Sequence, residues 1–440
     1  MKRREALGLF GAAGAMSLMQ SQNGFAQVAD SDANDTQNAI GLANRGLPEL
    51  TITDVKVIQG RFGADEHTCV KVYTSEPGLY GVGDGCNSQR AKTIKTYIEE
   101  YIAPFVIGRS VNDIEKLWNE LWVGPYWRAS VDHSNAIAAV DGALWDILGK
   151  RAGKPVYDLW GGKVREGNRA FHQVRSGSDQ DLRMQDIQDH IDKGFRHFRL
   201  RASYFEEGYG WDEGFRGNDG AFTAATVRQF QRIRDEFGWD IDVGIDVHSA
   251  LSPAGAIVCA KAIEEFRPFF VEDLFTIEDM NWHEVLRTQC AIGVATGEQM
   301  VSNNEWIELV ANRWIDYIRP HVSAMGGPSL VKKLLHCCEF FGVQSSLHGP
   351  GNVSPVGHAI NAHLEICIPN FGIGEGEDFD EDRQAAYPGC PEMDGAVRKL
   401  NGLPGWGIDI DEEVIANFPH DPDQVRMRTR YDTEGAPRNP

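Results

Sequence analysis

Asp246, Glu272 and Glu298 are the residues whose type and spacing most directly imply chemistry. Each ends or follows a short apolar run (VGID, FFVED and GVATGE), and successive members lie 26 residues apart. A strand, a loop, a helix and a second loop need roughly 25–30 residues, so the three carboxylates fall at the C-terminal ends of consecutive parallel strands. Such ends converge on one mouth of a β/α barrel. Three carboxylates gathered there repel one another unless a cation neutralises them. A hard divalent ion such as Mg²⁺ suits oxygen ligands and keeps positions open for a substrate. The competing reading is three unrelated surface carboxylates in a chain with 64 acidic residues; the flanking motifs weigh against it.

The elements that would position these groups are legible in outline. LTITDVKVIQGRF and HTCVKVYT carry β-branched residues in partial alternation, and GLYGVGDG follows the Glu76-Pro77-Gly78 turn, so residues 48–88 read as a hairpin-rich sheet. Between Gln89 and Ala152 the apolar spacing is helical, ending at Gly153 and Pro155. Beyond Gly167 the candidate strands AFHQV, HFRLR, DVGIDV, PFFVED, GVATGE, DYIRPHV and VQSSLH are mostly separated by amphipathic stretches. An eighth lies in PNFGIGEG. The expected fold is α/β: a modified TIM (β/α) barrel with an N-terminal α+β capping domain. The expected limits are 1–26 for a signal peptide, 27–47 for a flexible leader, 48–165 for the capping domain and 166–395 for the barrel. A segment 396–440 then returns to the cap.

The chain has 440 residues, 42% hydrophobic and 24% charged, with net charge −21. That balance argues against nucleic acid or an anionic membrane as a partner. It leaves an acidic small molecule open, because a metal and local arginines can reverse the field in one pocket. Lys2-Arg3-Arg4, the short apolar run Ala6 to Met19 and the small residues of Gly24-Phe25-Ala26 read as an export signal. Arg3-Arg4 followed by Glu5-Ala6-Leu7 resembles a twin-arginine signal without its usual Ser/Thr, which implies a periplasmic protein exported folded. No membrane association is expected after cleavage. The eight cysteines form no Cys-x-x-Cys motif and fall mostly in apolar runs, as buried thiols do.

Taken together, these segments resemble the enolase superfamily from about residue 50 to about 420. VKVYTSEPGLYGVGDG is similar to its N-terminal hairpin, and AIAAVDGALWDILGKRAGKPVYDLWGGKVR to its hinge into the barrel. Asp246, Glu272 and Glu298 occupy the places of its three Mg²⁺ ligands. Asp246-Val247-His248, LHGPGNVSPVGHAINAHLEICIPNFGIGEG and PGWGIDIDEE resemble the mannonate dehydratase-like branch, which includes starvation-sensing proteins.

The resemblance implies abstraction of the proton next to a substrate carboxylate, with Mg²⁺ stabilising the charge that develops. His248, two residues beyond Asp246 on the same strand face, matches the acid that protonates a leaving hydroxyl. His348 matches an active-site histidine, and Glu375 a substrate-contacting carboxylate. Where many relatives carry Lys-x-Lys, this chain has Arg199-Leu200-Arg201. Arginine is a poor base. Arg199 matches the arginine that mannonate dehydratases pair with a loop tyrosine, here Tyr204 or Tyr209, although the loop matches poorly. Arg201 and His321 face the substrate; His321 stands where racemase-like relatives place an aspartate. His358 and His363 read as structural. The expected function is a Mg²⁺-dependent dehydratase of an acid sugar, mannonate- or gluconate-like, in a homo-oligomer. The alternatives are a racemase, epimerase or cycloisomerase of a related acid, or a catalytically weak binding or sensing protein.

Overall fold

The computed structural model describes residues 49–87, 89–174, 179–201, 218–376, 378–421, 430–431 and 434–438. The expected signal peptide and leader, and both candidate tyrosines, lie outside them. No helix of the described residues is long and apolar enough to cross a membrane.

The N-terminal unit is an antiparallel meander, β1 (Ile52–Phe62), β2 (Asp65–Thr74) and β3 (Tyr80–Asp84), backed by α1 (Ala91–Tyr97), α2 (Ile114–Val123) and α3 (Val131–Ala152). Helix α3 starts at Ser130, whose hydroxyl accepts from His133 N, and stops at left-handed Gly153. The closely spaced glycines of β3 have a steric cause. A Cβ at Gly81 would lie 2.0 Å from the Ala143 carbonyl oxygen, and one at Gly83 1.9 Å from that of Ala139. Strand and helix therefore meet backbone to backbone, which only glycine permits.

Eight parallel strands then form the barrel: β4 (Asn168–Gln173), β5 (His197–Arg201), β6 (Asp242–Asp246), β7 (Val271–Glu272), β8 (Val294–Thr296), β9 (Tyr317–Ile318), β10 (Gln344–Ser345) and β11 (Gly374–Glu375). They pair in sequence order from β4 to β10. Strand β11 pairs with β4, and Phe371 bridges Ser345 of β10, which closes the cylinder. The intervening helices include α4 (Gln180–Asp192), α5 (Asp219–Phe237), α6 (Pro253–Ile263), α7 (Trp282–Gln289), α8 (Ile307–Ala311), α9 (Pro328–Phe341) and α10 (Pro355–Cys367). After them the hairpin β12 (Glu392–Asp394) and β13 (Val397–Lys399) pairs back onto β4, with Val397 opposite Arg169. The expected barrel limit at 395 therefore cuts through a hairpin that belongs with the barrel sheet, because a hairpin's hydrogen bonds cannot be divided between two units.

The late segment does reach the meander. Trp406 N and Val82 N donate to the two oxygens of Asp146 in α3, and Trp406 Nε1 donates to the Gly142 carbonyl. Glu412, opening α11 (Glu412–Ile415), takes Lys71 at 3.2 Å and pairs with Lys56. His363 Nδ1 accepts from Tyr157 N and its Nε2 donates to the Trp406 carbonyl, so this histidine is used in packing.

Glu365, also in α10, is a buried titratable group of the fold. Burial pushes its carboxyl up to about 7, against the opposing charges of Arg398, Arg165 and Arg319, from an ordinary value near 4.5. The folded chain thus keeps a proton that the unfolded chain has already lost. Its stabilisation is complete below about pH 4 and is lost as pH rises through about 7. Glu365→Gln should remove a pH-dependent loss on the order of 3 kcal/mol. The readout is a flatter plot of urea midpoint against pH between 4 and 8; an unchanged slope would refute the assignment.

Candidate active site at the barrel mouth

Inside the barrel the side chains form layers, as alternation along each strand requires. The floor is apolar: Phe171, Phe270, Ala295 and Ile373 are buried together. Two arginines lie on it, with Arg199 5.1 Å from the Phe171 ring centroid and Arg319 5.4 and 5.6 Å from those of Phe171 and Phe270.

These arginines and two carboxylates make a closed square. Arg199 donates to Glu272 Oε2 at 2.6 Å and to Glu375 Oε1 at 2.8 Å. Arg319 donates to Glu272 Oε1 at 2.7 Å and to Glu375 Oε2 at 2.9 Å. All four residues are buried, Arg319 and Glu272 completely. Burial alone would raise the Glu375 carboxyl, but Arg199 and Arg319 outweigh it and hold the group far below the usual carboxylate range. Burial likewise opposes the charge on each arginine, and the two glutamates more than restore it. Arg199 also donates to Gln173, and its Nε is buried with no hydrogen-bond partner among the described residues. Arg319 additionally holds the Ser346 carbonyl and hydroxyl at 3.0 and 2.8 Å.

Above the square stand the remaining sequence candidates. Asp246 Oδ1 accepts from the backbone N of His248 at 2.9 Å, and His248 sits at φ 52°. The oxygens of Asp246, Glu272 and Asp273 include one from each residue that all lie within 4.8 Å of one another. Glu298 stands outside that tight group, its Oε1 3.3 Å from His348 Nε2. Burial would raise the Glu298 carboxyl; His348, His248 and Arg201 outweigh it and hold the group well below the usual range. Thus two of the three expected ligands are brought together directly, and the third faces the histidine on β10's continuation.

His321 and His348 pack with ring centroids 5.1 Å apart. Burial, then the neighbouring His348, pushes His321 down to about 4, so it is neutral at pH 7 and brings no anion to His348. The loops carrying both histidines are tied to the cap by Asp84 at the end of β3. Its carboxylate accepts from the Ser323 and Ser354 hydroxyls, each at 2.5 Å, and from Ser354 N at 3.3 Å.

Arg319, Asp273 and Asp84 were missed by sequence reasoning. An arginine within DYIRPHV, and a second acid directly after Glu272, were the available signals.

The donor set is all oxygen and buried, and burial, then the neighbouring Glu272, Glu298 and Asp246, pushes the Asp273 carboxyl well above its ordinary range, the repulsion expected of crowded carboxyls with no cation among them. That fits a hard divalent cation.

Comparison with known proteins agrees with this geometry. Residues 49–161 match the mandelate racemase / muconate lactonizing enzyme N-terminal domain, and residues 183–414 match the enolase C-terminal domain-like family. A D-galactonate dehydratase family member of Salmonella virchow is 37% identical, over 85% of this chain and 95% of its own length. One of Pantoea ananatis is 36% identical over the same shares. A crystal structure of a Pantoea ananatis enolase with bound D-gluconate and Mg superposes with TM-score 0.83 at 34% identity, covering 89% of this chain and all of that one. The fold and site define an enolase-superfamily enzyme. Within that superfamily the chain belongs to the D-galactonate dehydratase family and is a lyase.

Proposed function

We propose that the protein is a Mg²⁺-dependent dehydratase of a sugar acid, mannonate- or gluconate-like. The observation that carries this is the group of buried carboxylate oxygens from Asp246, Glu272 and Asp273 at the barrel mouth, with the Glu298–His348 pair facing it. Asp246, Glu272 and Glu298 would hold the ion. When bound, it supplies Lewis-acid stabilisation to a substrate carboxylate. The protein's own groups do the rest. His248 and His348 would hold or give a proton at the mouth, Arg201 would offset negative charge beside Glu298, and Glu375, locked in the square, fixes the loop after β10 through Gly349 N at 3.0 Å. The bound D-gluconate and Mg of the Pantoea ananatis structure support this substrate class.

The test is a panel of acid sugars assayed for keto-acid formation with Mg²⁺ and after EDTA. Turnover of at least one six-carbon acid, lost on chelation and restored by Mg²⁺, is expected. Saturable binding of such an acid without keto-acid formation would favour the sensing alternative, which the arginines replacing lysine on β5 already motivate.

Export is proposed on Lys2-Arg3-Arg4 and Gly24-Phe25-Ala26. Periplasmic protein should begin at about Gln27 by mass spectrometry; an intact Met1 terminus on exported material would refute cleavage.

A further inference from the structure

His321 and His348 pack together at the mouth, yet neither ring is held by a full set of its own hydrogen bonds. His321 Nε2 and His348 Nδ1 are buried with no partner among the described residues. His321 Nδ1 takes only a long bond from Ala324 N at 3.4 Å, and His348 Nε2 meets Glu298. Where the rings stand therefore depends on the loops that carry them.

Both loops meet one carboxylate of the cap. Asp84 ends β3 and is 1% exposed. Its Oδ2 accepts from the hydroxyl of Ser323, just beyond His321 in the chain, and its Oδ1 from the hydroxyl of Ser354, beyond His348. One oxygen thus serves each loop. The backbone N–H groups of Cys86 and Ser354 add bonds at 3.3 Å. The seat is shaped for this carboxylate: a Cβ at Gly357 would lie 2.9 Å from its carbon, so glycine there leaves it room. Strand β2 adds a second tie to the same loop. Burial pushes His67 down to about 4, so its neutral ring donates through Nε2 to the Gly351 carbonyl at 3.1 Å and accepts through Nδ1 from the Tyr387 hydroxyl.

We propose that Asp84 is a positioning residue: by joining the Ser323 and Ser354 hydroxyls it sets the spacing of His321 and His348, and so makes turnover depend on the seated cap. It acts through the two loops rather than on the substrate. This rests on the reading that the mouth dehydrates an acid sugar. A misplacement of about 1 Å at a reacting centre can cost on the order of 10²-fold.

The test is steady-state kinetics on the acid sugar that turns over, beside the melting temperature and amide exchange of segments 321–327 and 348–354 in the full chain. Asp84→Ala should lower kcat at least about tenfold and leave KM within about threefold. Asp84→Asn, whose amide still offers one acceptor, should recover part of that loss. Ser329→Ala removes another tie between cap and barrel, the 2.6 Å bond to Asp141, which lies beyond both segments. It should lower the melting temperature and leave kcat within about twofold. An Asp84→Ala kcat within about threefold of the parent, or an equal fall in Ser329→Ala, would overturn the proposal. Should Asp84→Ala fail to fold, Ser323→Ala decides: faster exchange in both segments supports one shared tie, and a change confined to 321–327 overturns it. If the parent forms no keto acid, the dehydratase reading fails, and the same exchange comparison still judges the positioning role.

Discussion

Arg319→Met should destabilise the protein by about 3–5 kcal/mol, the cost of removing one partner from a buried ion pair. The guanidinium is fully buried, bonds two carboxylates, and holds both oxygens of Ser346. Methionine fills much of the volume, so the loss measures charge and hydrogen bonding rather than a cavity. Glu272 and Glu375 would then share Arg199 alone, with uncompensated negative charge over an aromatic floor. Arg319→Lys should recover only part, since an ammonium cannot span two carboxylates with a planar fork. Urea denaturation reads the effect directly. A loss below about 1 kcal/mol would show that water reaches the square and that its members are solvated individually.

The eight strands and the polar residues at their ends were readable because most of the strands are short apolar runs followed by polar residues and separated by amphipathic stretches. His248, His321 and His348 lie in the turns just beyond β6, β9 and β10. Arg319 was not readable as a keystone, because its partners lie 47 and 56 residues away and nothing local to DYIRPHV marks them. The pairing of Glu298 with His348 was not legible either, because His348 follows β10 and nothing local to GVATGE marks it. The return of β13 to β4 was not legible, because β13 is a short strand without a strong apolar signature and its pairing is a long-range fact. Tyr204 and Tyr209 lie outside the described residues.

Dehydration should depend most on the histidines and on one loop tyrosine. A positioned acid or base contributes about 10²–10⁴-fold, so His248→Asn and His348→Asn should each lower kcat by that order on the acid sugar that turns over, with little change in binding. Arg199 cannot itself take the α-proton at neutral pH, because Glu272 and Glu375 hold it charged. Its charge would lower the pKa of a tyrosine brought near it. Tyr204 and Tyr209 are the two candidates to test. Solvent deuterium exchange at the substrate α-carbon separates the roles. Loss of the acid alone should leave exchange while stopping water elimination; loss of the base should stop both. Retained exchange and turnover in Tyr204→Phe and in Tyr209→Phe would remove the tyrosine base. If His348→Asn then abolishes exchange, His348 takes its place, working against Glu298 rather than against His321, whose neutral ring offers no carboxylate to steady an imidazolium.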